Sequence, residues 1–159
     1  MFKFIKVLVV IVVVIILICL FRTWQVERQP SQSIFLNGKS PKIAPDGLYI
    51  GSVEGHQVSW RGKKFDETNH SGINIFENAQ GNEEKKYSFV TGYGTGVRDK
   101  NLEVFKIDYD IDGNPFWLRA ILDEIVQISP TEYLGKVHIR IIPGLPFTFG
   151  YFKLSSPGK

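Results

Sequence analysis

The sequence has a single cysteine among its 159 residues, Cys19, and it lies inside an apolar run near the N-terminus. The rest of the chain can therefore form no disulfide and no cysteine-based metal site. The three histidines, His56, His70 and His138, are scattered, and their spacing matches neither a zinc site nor a Ser-His-Asp site. These absences predict no metal ion, no cofactor and no catalytic residue that the sequence can name, so an enzyme is not favoured.

The C-terminal part of the chain also lacks an excess of positive charge. The whole sequence has a formal net charge of +3, but residues 45–159 carry 13 Lys and Arg against 15 Asp and Glu. The basic excess therefore belongs to the first 44 residues. Because a nucleic-acid-binding domain uses a positive field, we expect no nucleic acid among the partners of this protein.

One long apolar run is present, and it extends without interruption from Val7 to Phe21. A helix that crosses a bilayer needs roughly 20 residues, and Phe4 to Trp24 reach this length with Trp24 as an interfacial anchor. The alternative is a cleaved secretory signal, whose apolar core has about 7 to 15 residues. No A-x-A cleavage pattern follows the run, so we expect residues 1–24 to be an uncleaved transmembrane anchor that contacts lipid through residues 4–24.

Charges beside the run indicate its orientation. Lys3 and Lys6 precede it, whereas Arg22 and Arg28 follow it and are offset by Glu27. The positive-inside bias therefore leans toward a cytoplasmic N-terminus and a translocated C-terminal part. Residues 25–44, rich in Gln, Ser, Pro and Lys and without periodicity, are predicted to be a flexible polar linker. Residues 45–159 form one domain of ordinary size.

This domain is predicted to be all-β, because alternating apolar residues and β-branched or aromatic residues recur along it. The predicted strands are 47–53, 57–65, 72–77, 87–93, 102–111, 116–128, 132–142 and 147–154. Short turns separate them, and no long amphipathic helix suggests a parallel sheet. Eight sequential antiparallel strands favour an up-and-down barrel, and a β-sandwich is the alternative.

Polar residues gather in one predicted hairpin, about a turn at residues 129–132. The hairpin carries Arg119, Asp123, Glu124, Lys136, His138 and Arg140. Because neighbouring residues in a strand point to opposite faces, only one of Asp123 and Glu124 can face the barrel interior. We expect the inward carboxylate to be paired with a buried cation, and removal of the outward one to cost less than about 1 kcal/mol.

The segment Asp108 to Gly113 matches the first half of a calcium loop, D-x-D-x-D-G. The glutamate that should close such a loop is replaced by Arg119, and Pro115 interrupts it. We interpret this segment as a strand that ends in an Asp-Gly turn, without a calcium site.

Several segments resemble a family of small, uncharacterised bacterial proteins: WRGKKFD (60–66), GINIF (72–76), GTGVRDKNLEVFKIDYD (94–110), NPFWLRAILDEIVQISPTEYLGKVHIR (114–140) and GYFKL (150–154). The family has no established activity, so the resemblance supplies no catalytic residue. Trp60-x-Gly62-Lys63 and the strand count also resemble the lipocalin-like (calycin) barrels. The family is bacterial, so the resemblance together with the predicted anchor and its orientation implies an inner-membrane protein whose C-terminal domain is periplasmic.

These observations predict a membrane-anchored, lipocalin-like domain that binds a small apolar or amphipathic ligand. The candidate ligand-binding residues are Trp60, Arg119, Asp123, Glu124, His138 and Arg140. Two other functions remain open: an interaction subunit of an envelope complex with a filled barrel core, and an uncharacterised enzyme with a polar group in the cavity. A cavity in the interior would favour ligand binding over a filled core.

Overall fold

The computed structural model describes residues 2–54 and 56–157, and it begins with a long helix, α1 (Phe2–Val26). Most apolar side chains from Phe4 to Phe21 are exposed on every side of this helix. A helix that is apolar all round is not stable in water and needs an apolar surrounding. By length and composition α1 can cross a membrane, a property that it shares with signal sequences.

The segment between α1 and the β domain is ordered and differs from the predicted flexible linker. It contains a second helix, α2 (Pro30–Asn37), with proline near its first position, where the missing N–H costs no hydrogen bond. The side chain of Phe35 in α2 is fully buried. Composition failed to predict this, because one large aromatic residue in a polar segment supplies the contact that orders it.

The rest of the chain forms eight strands that close into an antiparallel barrel, which confirms the predicted up-and-down fold. The strands are β1 (Gly47–Ser52), β2 (Trp60–Asp66), β3 (Ser71–Glu77), β4 (Glu83–Thr95), β5 (Glu103–Asp108), β6 (Ile121–Ser129), β7 (Glu132–Ile139) and β8 (Phe147–Ser155). Each predicted strand has a counterpart, and β4 extends further than its pattern indicated.

The barrel is closed by a short seam. β1 pairs with β8 only over Gly51 and its two neighbours, whereas β7 pairs with β8 along the whole of both strands. Among the described residues, the first half of β8, from Phe147 to Phe152, therefore has no strand on its other side. The C-terminal end of α1 packs against β8, and the backbone N–H of Thr148 donates to Thr23 Oγ1 at 3.0 Å.

Two apolar cores lie on opposite sides of the barrel wall. The interior core contains Phe65, Phe89, Phe105, Ile107, Tyr109, Leu118, Ile125, Tyr133, Phe152 and Leu154. The outer core lies between α2 and the outside of the wall and contains Phe35, Val104, Val126 and Leu134. Consecutive residues of β6 such as Ile125 and Val126 are therefore both fully buried, one in each core.

The two ends of the barrel carry different loops. Because all neighbouring strands are antiparallel, the loops after β1, β3, β5 and β7 share one end, which we call the mouth end. The loops after β2, β4 and β6 share the opposite end, which we call the far end. The chain passes from α1 to β1 along the outer wall: Thr23 contacts Thr148 at the start of β8, and Lys39 forms a β-bridge with Gln127 near the end of β6.

Candidate functional site

A cavity of about 630 Å³ lies partly in the mouth half of the barrel interior and partly beside the C-terminal end of α1. Its interior wall is mainly apolar, and it extends through the seam beside β8 to the end of α1. The apolar lining includes Val26, Val53, Val58, Trp60, Phe76, Ile121, Val137, Phe149 and Phe152, and the polar lining includes Arg22, Glu54, His56, Lys63, Asp123 and Tyr151. The predicted barrel therefore has a pocket rather than a completely filled interior.

A buried ion pair lies on the inner wall of this cavity. Lys63 Nζ is 2.9 Å from Asp123 Oδ2 and also donates to Asn74 Oδ1 at 2.9 Å. Tyr109 completes the group, because its hydroxyl donates to Asp123 Oδ2 at 3.1 Å and contacts Lys63 Nζ. The indole N–H of Trp60 donates to Asn74 Oδ1 at 3.0 Å. We call these five residues the inner polar cluster.

Aromatic rings surround the ammonium group of Lys63. Its Nζ lies 5.1 to 5.4 Å from four ring centroids, those of Trp60, Phe89, Tyr109 and Phe152. At these distances the ring faces attract a cation that is no longer solvated by bulk water. The rings therefore help to hold Lys63 charged in a place where water is largely excluded.

Burial determines the direction of the pKa shifts in the inner polar cluster. Burial of the Lys63 ammonium lowers its pKa, and the charge of Asp123 and its hydrogen bond act in the opposite direction. Burial together with the nearby Asp123 charge raises the pKa of Tyr109 well above its usual value. Tyr109 is therefore a neutral hydrogen-bond donor at every physiological pH.

One oxygen of Asp123 remains free to contact a ligand. The hydrogen bonds and the ion pair of this carboxylate within the described residues all involve Oδ2, and Asp123 lines the cavity. Its Oδ1 therefore offers an acceptor to a hydroxyl or amine group inside an apolar pocket. Pockets of this kind use a few convergent polar groups to orient a ligand and apolar walls to bind it.

A bulge in β2 explains why Lys63 faces inward. The pairing of β2 with β3 shifts between Trp60 and Gly62, so that Trp60 and Lys63 both point into the barrel although they are three residues apart. Gly62 has a φ of 139°, a conformation that favours glycine, and a Cβ there would lie 2.0 Å from the carbonyl oxygen of Tyr49. Glycine at position 62 therefore makes the bulge possible.

The predicted hairpin forms as expected, but its polar residues do not gather in one place. Of the predicted binding residues, Trp60 and Asp123 line the cavity. Glu124 points to the outer face, as alternation requires, and it is nevertheless fully buried. Its Oε2 lies 3.1 Å from Nε2 of the buried His138, and its Oε1 accepts the backbone N–H of Val97 at 2.7 Å. The loop between β4 and β5 contributes this N–H, and Glu124 and His138 therefore belong to the packing of the outer wall.

The two arginines among the predicted binding residues lie outside the cavity lining. Arg140 forms a two-point ion pair with Asp108 that is about one-third exposed. Arg119 Nε is 2.7 Å from Asp110 Oδ1, and Arg119 Nη1 is 3.5 Å from Asp112. The residue that replaces the closing glutamate of a calcium loop thus binds the aspartates itself, and the described residues contain no cluster suited to a metal ion.

The sequence interpretation missed Lys63, Asn74 and Tyr109 as members of the site. A signal for Lys63 was present in β2, where Trp60 occupies an even position and the inward Phe65 an odd one. Such a change of parity within one strand indicates a bulge between the two residues. Asn74 lies directly opposite Lys63 in the β2–β3 pair, and Tyr109 reaches Lys63 across the barrel interior. Both contacts depend on strand register and closure, which no local pattern reports.

A second polar cluster joins α1 to the outer wall of the barrel. The carboxylate of Glu27 accepts hydrogen bonds from Arg98 Nε at 2.6 Å and from Thr148 Oγ1 at 2.8 Å, and it lies 3.0 Å from Lys136 Nζ. Although burial acts to raise the pKa of Glu27, these hydrogen bonds hold it at about 2. Lys136 is fully buried and also lies 2.8 Å from Asp99. We call this group the Glu27 cluster.

No protein-family model matches this chain, and no curated protein matches it. A solved structure, described as the crystal structure of a protein from Thermomonospora curvata, superposes on it with a TM-score of 0.61. The match covers 80% of this chain and 85% of that chain, at 13% sequence identity. A likeness at this identity shows a shared fold only and carries no information about activity.

Proposed function

We propose that this protein is a membrane-anchored barrel that binds one small amphipathic ligand. The observation that carries the proposal is the cavity of about 630 Å³ that opens through the seam. Ligand pockets typically enclose about 300 to 1,000 Å³ and combine apolar walls with a few polar groups. The free Asp123 Oδ1 would accept a hydrogen bond from a hydroxyl or amine of the ligand, while Trp60 and Phe152 would contact its apolar part.

The proposed location is a bacterial inner membrane, with α1 as a single-pass anchor and the barrel in the periplasm. Exposure of the apolar side chains along α1 and the two lysines that precede them support this placement. N-terminal sequencing of the membrane fraction tests it. A mature chain that begins after Cys19, or a chain that a carbonate wash releases, would show that α1 is not an anchor.

The ligand is tested by mass spectrometry of small molecules that co-purify with the detergent-extracted full chain. Val137→Trp fills the cavity from its wall, and Val90→Trp places the same ring at a position that is 43% exposed. We expect a bound molecule in the unmodified protein and in Val90→Trp, and its loss in Val137→Trp. Circular dichroism identifies a variant that has unfolded.

An equal amount of the molecule in a folded Val137→Trp variant would contradict binding in the cavity. Absence of any co-purifying molecule would instead support the alternative of an interaction subunit, for which the barrel needs no ligand.

A further inference from the structure

Exposed apolar side chains lie in two of the four loops of the mouth end, those after β5 and β7, whereas the loops after β1 and β3 have mostly polar sequences. The loop between β5 and β6 exposes Phe116 at 87% and Trp117 at 53% of their surfaces. The loop between β7 and β8 has the sequence IIPGLP over residues 141–146, and Ile141 is 57% exposed. Phe149 lies in the half of β8 that β1 does not cover, and it is 58% exposed. We call these four residues the mouth rim.

The far end has a different composition. Its loops contain Glu67-Thr68-Asn69-His70 and the short turn Pro130-Thr131, and the longer loop over residues 96–102 is folded onto the outer wall. Ile43, 75% exposed, lies beside Glu67 and His70 at the far end, so the two ends differ in degree. The mouth end groups four exposed apolar side chains between β5 and β8, and β8 is the strand on which α1 packs. An exposed apolar patch of this kind marks a surface that contacts a partner or a membrane.

The position of α1 indicates that the mouth rim contacts a membrane rather than a protein partner. Thr23 contacts Thr148 near the mouth end, and Glu27, one helical turn later, contacts Lys136 in the middle of β7. Lys39 then reaches Gln127 near the far end. The chain thus travels from the mouth end toward the far end, so the preceding turns of α1 project beyond the mouth end.

The C-terminal end of α1, which would lie in the bilayer interface, is at the level of the mouth end of the barrel. Trp24 is half-exposed, and the guanidinium of Arg28 lies 4.0 Å from its ring centroid. Tryptophan is enriched where a transmembrane helix leaves the hydrocarbon region. Since Thr23 is bonded to Thr148, the start of β8 lies at the same depth as this interface.

From these positions we propose that the mouth rim rests in the bilayer interface, with Phe116, Trp117, Ile141 and Phe149 inserted among the lipids. The anchor and the rim are two attachments to one membrane, and two attachments fix the tilt of the barrel where one would not. This placement rests on the proposed role of α1 as a membrane anchor and is independent of whether the cavity holds a ligand. Arg22, Val26, Gln29 and Ser31 line the opening of the cavity, so the same placement sets that opening at the edge of the bilayer interface.

Site-directed labelling of the full chain tests this surface. Cys19→Ala removes the native thiol, and Phe116→Cys, Ile141→Cys or Thr131→Cys then introduces one exposed thiol for an environment-sensitive nitrobenzoxadiazole label. Thr131 is the matched control, because it is exposed in the short turn at the far end. Each labelled protein is reconstituted in phosphatidylcholine vesicles, with or without lipids that carry a nitroxide on the upper part of the acyl chain.

We expect blue-shifted emission and strong nitroxide quenching for the labels at positions 116 and 141, and neither effect at 131. Equal emission and equal quenching at the three positions would overturn the proposal, as would unquenched labels at both rim positions. The use of two rim positions from different loops guards against one variant that disturbs its own loop, and circular dichroism of each reconstituted protein checks the fold.

Discussion

Glu27 Oε1 lies 3.0 Å from Lys136 Nζ, and this contact joins the residue that follows α1 to a fully buried side chain of the barrel wall. Arg98 adds a two-point hydrogen bond to the same carboxylate. Because three cationic and hydroxyl partners converge on one acid, rotation of the barrel about the helix would break several bonds at once. The barrel is therefore held in a fixed position relative to α1.

The first prediction concerns Glu27→Gln. The pKa of Glu27 falls from an ordinary value of 4.5 to about 2 in the folded protein, so the folded state favours the charged carboxylate. This contribution is complete above about pH 4.5 and disappears as the pH falls through 2. At neutral pH we expect the variant to lose about 2 kcal/mol of unfolding free energy, after allowance for partial exposure of the group.

Chemical denaturation of the detergent-solubilised protein at pH 7, 4 and 3 measures this loss. The difference between the two proteins should narrow as the pH falls. Glu103→Gln is the control, because Glu103 is exposed, and we expect it to change the unfolding free energy by less than about 0.5 kcal/mol. A constant difference between Glu27→Gln and the unmodified protein across this pH range would contradict the prediction.

The second prediction is that Asp123→Ala and Glu124→Ala are both strongly destabilising. Removal of Asp123 leaves the Lys63 ammonium buried without its counter-charge, which costs about 3–5 kcal/mol. Removal of Glu124 leaves the backbone N–H of Val97 and the ring of His138 without their acceptor, at a cost of about 1–3 kcal/mol. The sequence alone predicts a small effect for the outward carboxylate, so denaturation of Glu124→Ala separates the two expectations.

A double variant isolates the buried charge. Lys63→Met combined with Asp123→Leu removes both charges and keeps apolar volume, so we expect it to recover most of the stability that Asp123→Ala loses. If the double variant is no more stable than the single one, shape rather than an unpaired charge would account for the loss.

The barrel could be predicted because its signal is local. Alternation over the predicted strand 102–111 puts Phe105, Ile107 and Tyr109 on one face, and the structure places all three in the interior core. Alternation in β6 likewise placed Asp123 and Glu124 on opposite faces. Strand period and turn chemistry are properties of a few consecutive residues, so they can be recognised without knowledge of the rest of the fold.

The covering of the outer wall could not be predicted in the same way. Glu124 is buried because Val97, 27 residues earlier, donates to it. Val126 is buried because α2 places Phe35 against the same outer core. Alternation predicts which face a side chain occupies, whereas burial of that face depends on segments that are distant in sequence. The loss of one predicted polar cluster and the ordering of the predicted linker have this common cause.

The third prediction concerns Gly135→Ala in β7. The ring of Phe152 lies directly over this glycine, and a Cβ would lie 2.1 Å from its Cζ atom. The ring must therefore shift within a packed interior, and we expect a loss of about 1–3 kcal/mol. Gly150→Ala in β8 is the control, because nothing lies within 4 Å of its Cβ position. Thermal unfolding by circular dichroism compares the two, and equal melting temperatures would contradict the packing argument.

The last prediction tests whether α2 is part of the folded domain. Phe35 is fully buried against Val126 and Leu134, whereas the adjacent Leu36 is 49% exposed. Phe35→Ala removes a buried aromatic ring and leaves a cavity in the outer core, so we expect a loss of about 3–5 kcal/mol. Leu36→Ala removes a comparable apolar side chain from the surface and should change the unfolding free energy by less than about 0.5 kcal/mol.

Limited proteolysis gives a second measurement, because release of α2 would expose the backbone near Lys39 to trypsin in Phe35→Ala only. Equal stability and equal cleavage of the two variants would mean that the segment behaves as the flexible linker that its composition indicates.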